Sequence, residues 1–106
     1  MQEYKIYLNV ILEMIEKIRN SVHSKEELIK NSEKQDANLM RLQVIGENIK
    51  SIPSEIKKKN KQINWKKFEK LRNLISHKYS SVDYNIVWDF IEKNLLKLKI
   101  EIENLK

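Results

Sequence analysis

Apolar side chains recur every three or four positions through nearly all of this 106-residue chain, and only Gly46 and Pro53 offer the backbone a natural place to break. A strand buries alternate residues, whereas a helix buries one stripe at three-and-four spacing. One glycine and one proline leave little material for tight turns, so the pattern commits the chain to helices. The expected fold is all-α: an antiparallel bundle of four long helices plus a short one, joined by short connections. The length suits one small domain, residues 1–106, with no second core.

Helix one is expected from Tyr4 to Val22, with Tyr4, Leu8, Ile11, Ile15, Ile18 and Val22 as its stripe, widened by Tyr7 and Met14. Ser24-Lys25-Glu26-Glu27 has the layout of a capping box and starts a short helix ending near Asn31. Ser32-Glu33-Lys34-Gln35 repeats that layout and opens helix three, which buries Leu39, Leu42, Ile45, Ile49 and Ile52. Gly46 lies inside this helix, where it costs ~1 kcal/mol against Ala. A close approach by another helix would explain it. Pro53 stops the run, since it cannot donate and it crowds the preceding turn. Ser54 to Asn60 has room for one more turn, although Lys57-Lys58-Lys59 is poor core material. Asn64 is a plausible N-cap for the next helix, which carries Trp65, Phe68, Leu71 and Ile75. Asp83 caps the last, with Val82 and Val87 placed for a hydrophobic staple. That helix runs through Val87, Ile91, Leu95, Leu98 and Ile102 to about Leu105. Trp65 and Trp88 each begin an apolar stripe and are read as core.

The charge is +6, but it is not spread evenly. From Lys57 to Lys78 there are nine Lys/Arg and one Glu, a net of +8; the remaining twelve Lys/Arg and fourteen Asp/Glu give −2. Clustered positive charge is the footprint of a polyanionic partner. The absence of Cys excludes disulfides, thiolate metal sites and a thiol nucleophile. No apolar run approaches the ~20 residues of a membrane span. Met1 to Lys5 lacks the layout of a signal peptide and reads as a native N-terminus, so a cytoplasmic location is expected. Glu26, Glu27 and Glu33 have no His-spaced partners, so no metal site and no cofactor are expected.

The unusual chemistry lies in Arg72-Asn73-Leu74-Ile75-Ser76-His77-Lys78-Tyr79. Arg72 is a permanent cation whose planar fork suits phosphate. His77 can exchange a proton near neutral pH. At ~100° per residue Asn73 and His77 share a helix face, and Arg72 and Tyr79 share another. Arg72 and His77 diverge by roughly 140°. One chain would struggle to close both on a single phosphate, so the stretch reads as half of a site that a second copy completes. Each residue also has a plainer reading. His77 could be a helix-end histidine, Arg72 could pair with Glu69 on the surface, and Tyr79 could pack at the helix end. Ser76 has nothing nearby to activate it. Arg19-x3-His23 is one residue shorter than the Arg72–His77 spacing.

The segment Arg72-Asn73-x-x-x-His77-x-Tyr79 resembles the signature of the HEPN superfamily, specifically the HepT-like toxins. Arg41-Leu42-Gln43-Val44-Ile45-Gly46-Glu47 is similar to the family's third helix, Ile63-Asn64-Trp65 to the approach to the motif, and Ser81-Val82-Asp83 through Ile86-Val87-Trp88 to the start of its last helix. Lys78 stands where the pattern has an acidic residue, and Asn48 where it has a small one. The resemblance implies a homodimer with both motifs in one cleft and metal-independent endoribonuclease activity. It also implies a toxin–antitoxin system, with a nucleotidyltransferase-fold antitoxin that attaches AMP to Tyr79. RNA is then the expected substrate. His77 would be the acid or base, Arg72 would hold the phosphate, and Asn73 would position His77 or the ribose. Lys66, Lys67, Lys70 and Lys78 would contact RNA. Two alternatives stand beside this: a non-catalytic RNA- or nucleotide-binding partner of a nucleotidyltransferase, and a plain helical dimer.

Overall fold

The computed structural model describes residues 3–105. They form six helices: α1 (Tyr4–Ser21), α2 (Lys25–Lys30), α3 (Ser32–Ser51), α4 (Ser54–Lys59), α5 (Trp65–Lys78) and α6 (Tyr84–Leu105), with a 3₁₀ turn at Tyr79–Ser81. No strand occurs among the described residues.

The four long helices close around one another in chain order. Lys34 Nζ donates to the Ser21 carbonyl oxygen at 2.7 Å, which fixes α3 antiparallel to α1. Gln43 Nε2 donates to Ser76 Oγ at 3.0 Å, and Gly46 faces Arg72 and Phe68, so α5 runs antiparallel to α3. The Phe68 and Phe90 rings meet edge to face, centroids 5.0 Å apart, joining α5 to α6. Lys99 reaches Glu16 at 2.8 Å and joins α6 back to α1. Each long helix contributes one apolar stripe, and the stripes meet in a core that includes Leu8, Ile11, Leu42, Ile45, Phe68, Ile75, Leu95 and Ile102. Trp65 is buried, and its indole N–H donates to the Asn60 carbonyl oxygen at 3.1 Å; Trp88 is half-buried against the same core.

Caps set most of the boundaries. Ser24 Oγ accepts from the Glu27 amide at 3.1 Å, as the capping box requires, but the reciprocal bond is displaced. Glu27 Oε1 accepts from the His23 amide at 2.7 Å, one residue earlier than expected, and its other oxygen takes Lys34. Glu27 is thereby shared between the start of α2 and the start of α3, and these donors hold its carboxyl below the usual range. The start of α3 shifts by one. Asn31, not Ser32, is the N-cap, with Oδ1 accepting from the Lys34 amide at 3.1 Å. Asn is among the best N-caps, and Ser32 enters the first turn instead. Asn64 and Asp83 cap α5 and α6 as expected, accepting from Lys67 at 3.3 Å and Asn85 at 2.9 Å.

Two further differences matter for the site. Ser54–Lys59 forms a six-residue helix where one turn was expected, and none of its residues is buried. Pro53 suits its start because a missing N–H costs nothing there. In addition, α5 stops at Lys78, whose φ of −128° and ψ of 31° leave the helical region. Tyr79 therefore lies in the 3₁₀ turn, and the shared face expected for Arg72 and Tyr79 does not extend to it. Ser80, Ser81 and β-branched Val82 give the helix little reason to continue.

Candidate active site

Gly46 explains the position of Arg72. A Cβ on Gly46 would run into Arg72 Cβ, with Arg72 Cγ at 2.9 Å and the Phe68 carbonyl oxygen at 3.1 Å. The missing side chain lets α5 lie against α3 at this level, and the Arg72 stem occupies the freed space. Burial of the stem is consistent with the general habit of long cationic side chains, which sink their methylenes and keep the head in water. The side chain is 28 % exposed.

The guanidinium has two side-chain partners. Nη1 donates to Asn73 Oδ1 at 3.1 Å, and Nη2 makes a long contact of 3.5 Å with Glu47 Oε2. Nε is buried without a partner. A buried donor left unpaired costs ~1–3 kcal/mol, so this geometry is suited to an incoming acceptor. The group borders a hollow of ≈ 110 Å³ lined by Gly46, Lys50, Glu69, Arg72 and Asn73. The ion pair expected between Arg72 and Glu69 does not form. Lys57 of α4 takes Glu69 instead, Nζ to Oε2 at 3.4 Å.

Asn73 and His77 are exposed on the outer side of α5. Asn73 accepts from Arg72 rather than reaching His77 one turn away. His77 projects into solvent in the last turn, five positions from Arg72; on an ideal helix that is ~7.5 Å along the axis and roughly 140° around it. Within this chain the arginine and the histidine are therefore not brought together. Tyr79 is 49 % exposed just beyond them. Lys66, Lys67, Lys70 and Lys78 are all exposed. By helical position Lys66 and Lys70 share the face of Asn73 and His77, whereas Lys67 lines a cleft towards α6 with Asn94, Lys97 and Glu101.

Sequence reasoning missed three contacts. Glu47 as an acceptor for Arg72 had no signal beyond its place after Gly46. The Lys57–Glu69 pair depends on α4 being a helix. Ser76, read as a spectator, accepts from Gln43 and ties the two helices beside the motif. Among the described residues no three His, Cys, Asp or Glu side chains converge as a metal site would require.

Comparisons with known proteins bear on this arrangement. The profile of the family described as "Ribonuclease HepT-like" matches residues 11–105. Over 103 residues the chain is 40 % identical to a protein of Methanocaldococcus jannaschii named "Gamma-glutamylcyclotransferase and putative RNase"; the match covers 95 % of this chain and 46 % of that protein. A second protein of that organism, named "Putative RNase", is 33 % identical over 98 % of this chain and 88 % of its own length. The "Probable ribonuclease HepT" of Thermococcus cleftensis is 29 % identical over 99 % of this chain and 97 % of its own. No solved structure matches the chain significantly.

Proposed function

The chain belongs to the HepT-like ribonuclease family, and from that premise we propose that it is a metal-independent endoribonuclease whose site is completed by a second copy. One observation carries the reading: Arg72 is seated on Gly46 with a buried, unpartnered Nε, while an exposed His77 follows on the same helix.

RNA supplies its own nucleophile, the 2′-hydroxyl. A base removes that proton as the 2′ oxygen attacks phosphorus. The bond from phosphorus to the 5′ oxygen breaks, and an acid protonates the leaving oxygen. One His77 acts as base and the partner's His77 as acid. Arg72 holds the nonbridging oxygens and stabilises the charge that builds on them. Asn73 orients the Arg72 fork through the 3.1 Å bond it accepts. Lys66 and Lys70 run beside His77 and take flanking phosphates, with Lys67 and Lys78 as outer contacts. The products are a 2′,3′-cyclic phosphate and a 5′-hydroxyl.

The same reading makes the protein the toxin of a two-component system, neutralised by a nucleotidyltransferase-fold antitoxin. Exposed Tyr79 is the acceptor for AMP. A nucleotide there would set a phosphate near the guanidinium and obstruct the substrate by size. A non-catalytic RNA-binding subunit is the second reading, favoured by the strength of the basic segment alone.

The test is incubation of the purified chain with total tRNA in EDTA. Cleavage that His77→Ala abolishes, while the elution volume of the dimer is unchanged, is the expected result. Binding without cleavage would move the assignment to the second reading.

A further inference from the structure

A hollow of ≈ 730 Å³ lies apart from Arg72, between α4 and the first turn of α5. Buried Ile63 and Trp65 form its apolar wall, and the hydrogen bond to Asn60 fixes the indole. Lys57, Lys58, Lys61 and Lys66 surround it. Lys57 is engaged with Glu69. Lys58, Lys61 and Lys66 are exposed, and none has an ion-pair partner among the described residues. An apolar recess ringed by free cations matches a nucleotide, which presents an apolar ring face between two phosphates.

Glu69 also lines the smaller hollow beside Arg72, so the two recesses share a wall. Along α5, Trp65 and Arg72 are seven positions apart, or ~10 Å at 1.5 Å per residue. About three nucleotides of a stacked strand, at ~3.4 Å each, cover that length. An acidic peptide would satisfy the lysines equally well, but nothing would then require continuity with the Arg72 recess. We propose that the α4–α5 hollow is a subsite for the RNA strand flanking the cleaved bond, taking a nucleotide about three positions away. The proposal rests on the nuclease reading and deepens it.

The experiment uses a fluorescein-labelled RNA with a 2′-O-methyl group at the scissile position. It is compared with the same RNA extended by three nucleotides on its 5′ or its 3′ side. In the native protein one extension, and not the other, should tighten binding at least tenfold. Lys58→Gln/Lys61→Gln should erase that gain and leave unchanged both the affinity of the short RNA and the rate at which its unmethylated counterpart is cleaved. Both positions are exposed and outside the machinery assigned above, so the variant should fold. The salt dependence of binding the long RNA should fall by ~1.4 in slope, at ~0.7 for each lysine on a single strand. Equal loss on short and long RNA, or none on either, would overturn the subsite. Lysine-dependent capture of polyglutamate with no gain from either RNA extension would assign the hollow to an acidic partner instead. If the native protein binds the extended RNA with this lysine-dependent gain yet cleaves no RNA, the subsite stands and the nuclease reading fails.

Discussion

Gly46→Ala isolates what places Arg72. In an exposed helix interior this change stabilises by ~1 kcal/mol, because Ala loses less backbone freedom than Gly. Here the new Cβ would overlap Arg72 Cβ and lie 3.1 Å from the Phe68 carbonyl oxygen. Neither is the loose end of a side chain. Arg72 Cβ moves only with the α5 backbone, and the Phe68 carbonyl belongs to the α5 hydrogen-bond ladder. Overpacking of this kind costs ~1–3 kcal/mol. Set against the propensity gain, the net is a destabilisation of up to about 2 kcal/mol, or a fall of up to roughly 15 °C in Tm for a domain of this size. Urea denaturation followed by circular dichroism reads the first quantity directly. Activity should fall further than the unfolded fraction explains, tenfold or more on tRNA, since a shift of about 1 Å at the guanidinium is costly for positioning. A variant more stable than the native chain and equally active would refute the argument: α5 would then not be held at this distance by a missing side chain.

Other consequences follow from the contacts around the motif. Lys57→Met should release Glu69 to compete for Arg72 and lower kcat/KM several-fold with little change in Tm; Glu69→Gln added to it should restore the rate, and a double variant no better than the single would show that the pair is incidental. The carboxyls of Glu16, Glu27 and Asp83 are held below their usual range, by Lys99, by the His23 amide and Lys34, and by Asn85 respectively. Folded values below unfolded ones mean a stabilisation present above the ordinary carboxylate range and lost as pH falls through the depressed values. The urea midpoint should therefore be level from neutrality to about pH 5 and fall below it, less steeply in Glu27→Gln. Adding inactive His77→Ala protein to native protein under subunit exchange should lower the activity per native chain, because a mixed dimer holds one imidazole where the reaction needs two; activity per native chain that stays unchanged would show that a single copy suffices.

The architecture was legible because each long helix repeats its apolar stripe with few exceptions, and Leu8, Ile11, Ile45, Ile75, Leu95 and Ile102 are buried as their spacing requires. The caps at Ser24, Asn64 and Asp83 were legible for the same reason: a short polar side chain before a periodic run has few other uses. What escaped was competition between equivalent local solutions. Asn31 and Ser32 both suit an N-cap, and only the tertiary placement of α3 chooses. Glu69 is three positions from Arg72, a spacing that favours pairing on an isolated helix. A lysine brought in by α4 from twelve positions away takes it instead. Asn38 shows the limit most clearly. It is wholly buried and bonds Ser21 Oγ, the Lys34 carbonyl and Arg41, yet its position on the stripe of α3 carried no sign that a polar core residue was needed there.

The division between Arg72 and His77 is itself informative. The arginine is built into the helix contact: its stem fills the space over Gly46, its Nε is out of water, and its fork is steadied by Asn73 and Glu47. The histidine has none of this support and stands exposed one helical turn and a half further on. A phosphate anchor gains from rigidity, because charge stabilisation depends on preorganised donors. A proton carrier that is free in the isolated chain gains its orientation only from what it meets. If Arg72 and His77 act on one phosphate, the missing constraint on His77 must come from outside the chain, from the substrate or from a second copy laid across α5. The outer face of α5 fits that requirement. It carries Lys66, Lys70, Asn73 and His77 with Leu74, 41 % exposed, among them. An apolar side chain in the middle of a cationic face adds nothing to RNA attraction, but it gives two such faces something to bury against each other.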